Sequence, residues 1–149
     1  MAKPTRQDTW NVTVRLQDLT NPNKPMNNLG TWDKKSGGEL DSDESKYNPG
    51  GMAKSVSLGG KTTPGNVTVS RLYVLERDHA VLVPKLIAGV GKAAMEVHQQ
   101  PLDIDGNAYG RPIVWKGTLK RATFPEVDSE SSDAAMVELE MTVEGDPGI

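Results

Sequence analysis

A mainly β fold, a β-sandwich or partial β-barrel of about seven strands with one short flanking helix near 78–90 and a long loop near 36–51, is what this sequence predicts. Three observations carry the expectation. Several segments alternate apolar and polar residues with a period of two, the signature of half-buried strands. Fifteen Gly and ten Pro among 149 residues interrupt the chain too often for a helical bundle. Only one stretch shows helical spacing. With 36% hydrophobic and 5% aromatic residues, the core must be thin, and residues 1–149 are expected to form a single domain.

Trp10, Val12, Val14 and Leu16 face one way and Asn11, Thr13 and Arg15 the other, giving a first strand. Leu19 to Pro25 is a turn by its Asn and Pro content, and Leu29 to Lys35, with Trp32, is a second strand able to form a hairpin with the first. Ser36 to Gly51 holds glycines and acids with little to bury, so it is expected as a long loop. Met52–Leu58 and Asn66–Glu76 are expected strands around a Gly-rich turn at 59–65. The apolar phase of the second slips from Val67 and Val69 to Leu72 and Val74, which suggests a bulge near Arg71.

Asp78 to Val90 is the helix candidate: Asp78 can cap it, Leu82, Val83, Leu86, Ile87 and Val90 recur at helical spacing, and Pro84 should kink it. Ala93 to Gln99 alternates again. Ile113 to Phe124 is a long strand carrying Trp115 and Leu119, with a bend expected at Gly117. In the last strand Ala135, Val137, Leu139, Met141 and Val143 share a face, opposite Met136, Glu138, Glu140, Thr142 and Glu144.

The chain has no Cys, hence no disulfide framework, thiolate metal site or Cys nucleophile. The first residues lack the apolar stretch of a signal peptide, and no apolar run is long enough to span a bilayer. A soluble protein made in a cytoplasm is expected. Net charge is −3, but residues 126–149 carry eight acids and no Lys or Arg. That asymmetry fits either a solvated acidic end or head-to-tail charge complementarity between copies.

Catalysis needs convergent titratable groups, and few are offered. His79 sits at the expected helix start and suits a surface or capping role better than a general base. His98, beside Glu96, suits a solvated sheet face better than half a metal site. Asp103-Ile104-Asp105-Gly106-Asn107 departs from calcium-loop spacing, with Val114 where the last ligand would stand, and reads as a hairpin turn. Gly59-Gly60-Lys61-Thr62-Thr63 lacks the first Gly and the following helix of a phosphate loop. Lys116, Lys120 and Arg121 are too few, with too few aromatics, for a nucleic-acid platform. No enzyme activity, metal or cofactor is expected.

Ser55-Val56-Ser57-Leu58-Gly59-Gly60 followed by Asn66-Val67-Thr68-Val69-Ser70-Arg71-Leu72-Tyr73 resembles the core of siphophage tail tube (major tail) proteins. The similarity runs on through Asp78 and the helix, Val97 to Asp103, Trp115-Lys116-Gly117-Thr118-Leu119, Pro125 to Ser129 and the last strand. It covers roughly residues 47–144; residues 1–46 match only as strand, turn and long loop. The resemblance implies hexameric rings stacked into a hollow virion tail tube, assembled in the host cytoplasm. It implies a tape-measure protein, tail terminator and tail-tip proteins as partners, and DNA passing through the lumen without specific binding, with no membrane contact. It also implies that the long loop, with Gly37, Gly38, Glu39, Asp41, Asp43, Glu44 and Tyr47, reaches neighbouring subunits. Glu138, Glu140 and Glu144 are then candidates for a lumen wall. Alternatively they form an outer or intersubunit surface and pair with Lys116 and Lys120. Two other functions compete: the inner tube of a contractile tail or phage-derived injection particle, and, from another class, a monomeric β-sandwich binding module.

Overall fold

The computed structural model describes residues 4–19, 23–47, 50 and 56–149, with the main chain alone for 43–47 and 56–61. Nine strands and one two-part helix form among them: β1 Trp10–Leu16, β2 Asn27–Trp32, β3 Lys34–Gly37, β4 Leu40–Tyr47, β5 Val56–Pro64, β6 Val67–Leu72, β7 Ala94–Pro101, β8 Ile113–Thr123 and β9 Met136–Val143. Seven of them make one antiparallel sheet in the order β2-β1-β7-β8-β9-β6-β3, and β4 pairs with β5 alone.

The two outermost strands of that sheet, β2 and β3, are consecutive in the chain and separated by Asp33 alone. One residue cannot span an open sheet of seven strands spaced about 4.8 Å apart, so the sheet curls until its two edges meet. Asp33 turns the corner. Its N–H donates to the carbonyl of Ser70 and its carboxylate accepts the Leu72 N–H at 3.1 Å, so both sides of the break stay hydrogen-bonded. No ladder joins β2 to β6 among the described residues, and the result is a partial barrel with a seam.

The inside of the curl holds the core. Val14, Val67, Val69, Met95, Val97, Leu119, Val137, Leu139 and Met141 are fully buried, and their alternation along each strand is the one the sequence predicts. Each such side chain contributes on the order of 1.5–3 kcal/mol by leaving water. Leu82 and Leu86 of the helix join the same core.

Four expectations need correction. The long loop at 36–51 is instead the end of β3, a two-residue root and β4, whose partner β5 runs through the glycines expected to turn at 59–65; Met52–Ser55 lie outside the described residues. Of the side chains described in this hairpin, Leu40, Asp41, Ser42, Thr62 and Thr63 are exposed. A main-chain ladder holds it, and such a ladder leaves no apolar alternation to read. No bulge stands at Arg71: β6 and β9 keep one register, and Arg71 itself takes the inward position while Leu72 and Val74 stay exposed. The helix starts early, with π-helical turns Leu75–Leu82 leading into α1, Val83–Gly89. Pro84 stands at the junction, where the hydrogen-bond pattern already changes, so the proline sets a change of pitch. The bend expected at Gly117 gives way to an irregularity between Leu119 and Arg121.

Candidate assembly surface

The outer face of the sheet is polar, as the alternation of its strands requires. Lys116 approaches Glu96 at 3.8 Å across β8 and β7, and Glu96 also meets His98 at 3.3 Å, so His98 belongs to a half-buried polar row of the sheet's outer face. The irregularity in β8 sets both Lys120 and Arg121 against one residue of β9. That residue is Glu140, 3.5 Å from Lys120, 3.7 Å from Arg121 and 3.1 Å from the amide of Asn66. The Asn66 hydrogen bond first, then the two cations, hold its carboxyl below the usual carboxylate range. Glu144 accepts from the Thr118 hydroxyl at 3.0 Å. Among the described residues neither Glu138 nor Glu144 meets a cation.

The residues expected in the intersubunit loop root and build the hairpin. Gly37 ends β3, Gly38 and Glu39 cross to β4, and Asp41, Asp43, Glu44 and Tyr47 lie along it. The pairing of β3 with β6 passes into that of β4 with β5 through Gly38 N–H to the Asn66 carbonyl, 3.1 Å, and Gly65 N–H to the Glu39 carbonyl, 2.8 Å. The arm is therefore an extension of the sheet's edge. Gly38, at φ +78°, lies flat on Trp115; a β-carbon there would come 2.7 Å from the indole nitrogen. That nitrogen donates to the Gly38 carbonyl at 3.1 Å, and the Lys35 ammonium sits 3.7 Å from the centre of the indole ring. Burial moves the Lys35 ammonium below its ordinary range, against the opposing pull of Glu39.

At the seam lies a cleft of about 690 Å³ whose lining includes Trp10, Val12, Trp32, Lys35 and Gln99. Trp32, Val12 and Gln99 form one cross-strand row over β2, β1 and β7. The indole N–H of Trp32 and the amide oxygen of Gln99 are buried there without a hydrogen-bond partner. Alternation placed these residues on the inward face, but which row ends at the mouth of the curl follows from closure at Asp33, which the sequence does not announce.

Asp78, expected as a helix cap, is instead a buried clamp. It accepts from Arg71 at 2.9 Å, from the Val74 N–H at 2.9 Å and from Arg77 at 2.9 and 3.0 Å. Arg71 lies 4.3 Å over the Trp32 ring and donates to the Leu29 carbonyl, tying helix, β6 and β2 together. His79 meets the Tyr73 hydroxyl at 3.1 Å on the surface. Among the described residues no group of three or more His, Cys, Asp or Glu could hold a metal ion, and no helix is long and apolar enough to cross a membrane.

No protein-family model matches the sequence, and no curated protein matches it. Solved structures do. The chain is similar to one in the six-fold symmetrised baseplate of the anti-feeding prophage, with a TM-score of 0.70 and 14% identity over 97% of this chain and 95% of that one. It is similar to one in the extended sheath–tube complex of the PVC extracellular contractile injection system, with a TM-score of 0.65 and 14% identity over 95% and 88%. A crystal structure of an Hcp protein matches with a TM-score of 0.50 and 10% identity over 89% and 88%. At these identities the likeness is one of fold, and it agrees with the phage tail-tube resemblance read from the sequence.

Proposed function

We propose that this chain is a structural subunit, not an enzyme, whose residues 1–149 form one tube domain that self-assembles into hexameric rings stacked as a hollow tail tube. The observation that carries the reading is a fold shared over 97% of the chain with a component of a six-fold symmetrised particle. The arm supports it, because among the described residues β4 and β5 pair only with each other and leave their outer edges free. Free edges on a small domain invite aggregation unless a neighbour covers them, and a head-to-tail contact repeated around a rotation axis covers them in a closed ring.

On this reading the particle tail is where the protein works, assembly takes place in the host cytoplasm, and DNA passes through the lumen. A tape-measure protein, a tail terminator and tail-tip proteins are its partners. The arm, with Gly37, Gly38, Glu39, Asp41, Asp43, Glu44 and Tyr47, reaches the next subunit. A second reading, the inner tube of a contractile tail or phage-derived injection particle, is favoured by the contractile system among the structural likenesses. A binding module built on an aromatic platform is disfavoured, since Trp32 and Trp115 are 3% and 5% exposed.

Negative-stain microscopy of concentrated protein, with and without tail-tip components, tests the proposal. Rings or tubes of constant diameter are expected. Open fibrils or a strictly dimeric particle would count against it.

A further inference from the structure

Two apolar patches stand exposed at opposite ends of β7. Before the strand, Pro84, Ile87 and Ala88 lie three and four residues apart on the outer face of α1, and Ile87 is 69% exposed. After it, the loop at 102–112 carries Ile104, 87% exposed, and Tyr109, 70% exposed. Single exposed apolar residues are ordinary on a protein surface, but these are grouped, and each group has charges beside it. Lys85 and Lys92 flank the helix patch, while Asp103 and Asp105 stand on either side of Ile104. Among the described residues none of these four meets an opposite charge. The loop's one cation, Arg111, lies at its far end, before β8.

Both patches are fixed before anything binds them. The Asp103 carboxylate accepts from the N–H groups of Asp105 and Asn107, each at 2.9 Å, and the Asp103 N–H donates to the Asn107 carbonyl at 2.8 Å. The Gln100 amide donates to the carbonyls of Tyr109 and Gly110 at 3.0 and 3.3 Å. At the other end, the Gly91 N–H donates to the Leu119 carbonyl at 2.7 Å and anchors the end of α1 to β8. Groups held in this way give up little freedom on docking. The eight residues of β7 set the two patches about 26 Å apart.

We propose that the β7–β8 loop tip of one copy docks on the outer face of α1 in a second copy, Ile104 and Tyr109 against Ile87 and Ala88, with Asp103 and Asp105 beside Lys85 and Lys92. An apolar knob flanked by acids meets an apolar face flanked by lysines, so this chain carries both halves of a complementary pair. A second copy shifted along the strands brings the two halves together. Tip and face lie at different places on one chain, so the contact is heterologous and repeats from copy to copy. The inference rests on the self-assembly reading above and names a contact separate from the β4–β5 arm.

Ile104→Ser and Ile87→Ser remove the apolar halves, and both positions are exposed, so each variant should melt within a degree or two of wild type. Self-association is read by sedimentation velocity over a concentration series, and each variant is expected to weaken it about tenfold or more. Asp105→Lys and Lys92→Glu, made singly, should each weaken it several-fold by setting like charges together. The chain carrying both changes restores opposite charges across the contact and should associate to within about twofold of wild type, a recovery that a merely structural role would not produce.

Wild-type association with I104S and I87S equally tight would overturn the proposal and leave the self-assembly reading standing. A doubly exchanged chain no better than its two parents would also overturn the proposal alone. A wild type that stops at dimers, or that never associates, would overturn the contact and the assembly reading together.

Discussion

Arg71 and Asp78 bury opposite charges 2.9 Å apart, with side chains 4% and 0% exposed. Burial alone would raise the Asp78 carboxyl, but hydrogen bonds from Arg77 and the Val74 N–H, with the charges of Arg71 and Arg77, hold it below the usual carboxylate range. A carboxyl depressed in the folded state contributes stability that is complete above its unfolded value, about 3.9, and is lost as pH falls through the lower folded value. Asp78→Ala is expected to cost about 3–5 kcal/mol at neutral pH, because it strands a buried guanidinium. Urea midpoints at pH 7 and at pH 3 and below check this: the gap between wild type and variant should narrow as pH falls. Gly38 supplies a second test at this scale. Its positive φ and its contact with Trp115 leave no room for a β-carbon, so Gly38→Ala should destabilise by about 1–3 kcal/mol, read from the same urea curves.

At the scale of elements, the arm makes its ladder, among the described residues, only within itself and joins the sheet through its root. Replacing residues 40–63 by a short Asn-Gly turn should therefore leave the melting temperature within a few degrees of wild type and abolish self-association. Differential scanning calorimetry and sedimentation velocity on the same sample check the two halves. The arm also marks where the sequence stops being legible. Strands whose one face enters the core declared themselves: Val137, Leu139 and Met141 are buried as their alternation requires, and β1 pairs with β2 as a hairpin as expected. Of this hairpin the expected strand Met52–Leu58 catches only the start of β5, and β4 reads as loop, because its described residues Leu40, Asp41 and Ser42 are exposed and carry no apolar alternation. Arg71 was obscured for a related reason. An inward arginine breaks the apolar phase, and only the position of Asp78 in space shows what compensates it. The Trp32–Gln99 row was legible as a set of faces and illegible as a cleft, because closure of the curl depends on the corner at Asp33.

Across the whole molecule, the outer face of β8 and β9 decides what a wall built from this chain would present. The final strand alone carries Glu138 and Glu140, with Glu144 just beyond it, and suggests a negative surface. Yet Lys116, Lys120 and Arg121 stand beside them on β8, three cations to three acids, so the face is close to neutral in sum. Neutrality serves passage of DNA as well as repulsion does, since it is uncompensated cations that bind phosphate by releasing counterions. Lys120 and Arg121 are the cations that Glu140 holds in check. Glu140→Lys would set three cations together and disturb folding and passage at once, so Glu140→Gln is the cleaner change: it keeps the shape and the Asn66 contact and frees two cations. If this face lines the lumen, particles carrying Glu140→Gln should assemble tails of normal length and eject DNA several-fold more slowly, with the delay relieved as salt is raised. Glu144→Lys should act in the same direction, and Glu144→Gln only weakly. If the face lies outside the tube or between subunits, ejection from normal-length tails should proceed at the wild-type rate for all three, and any defect should appear in assembly. Single-particle ejection timing at two salt concentrations, on tails measured by microscopy, separates the two placements.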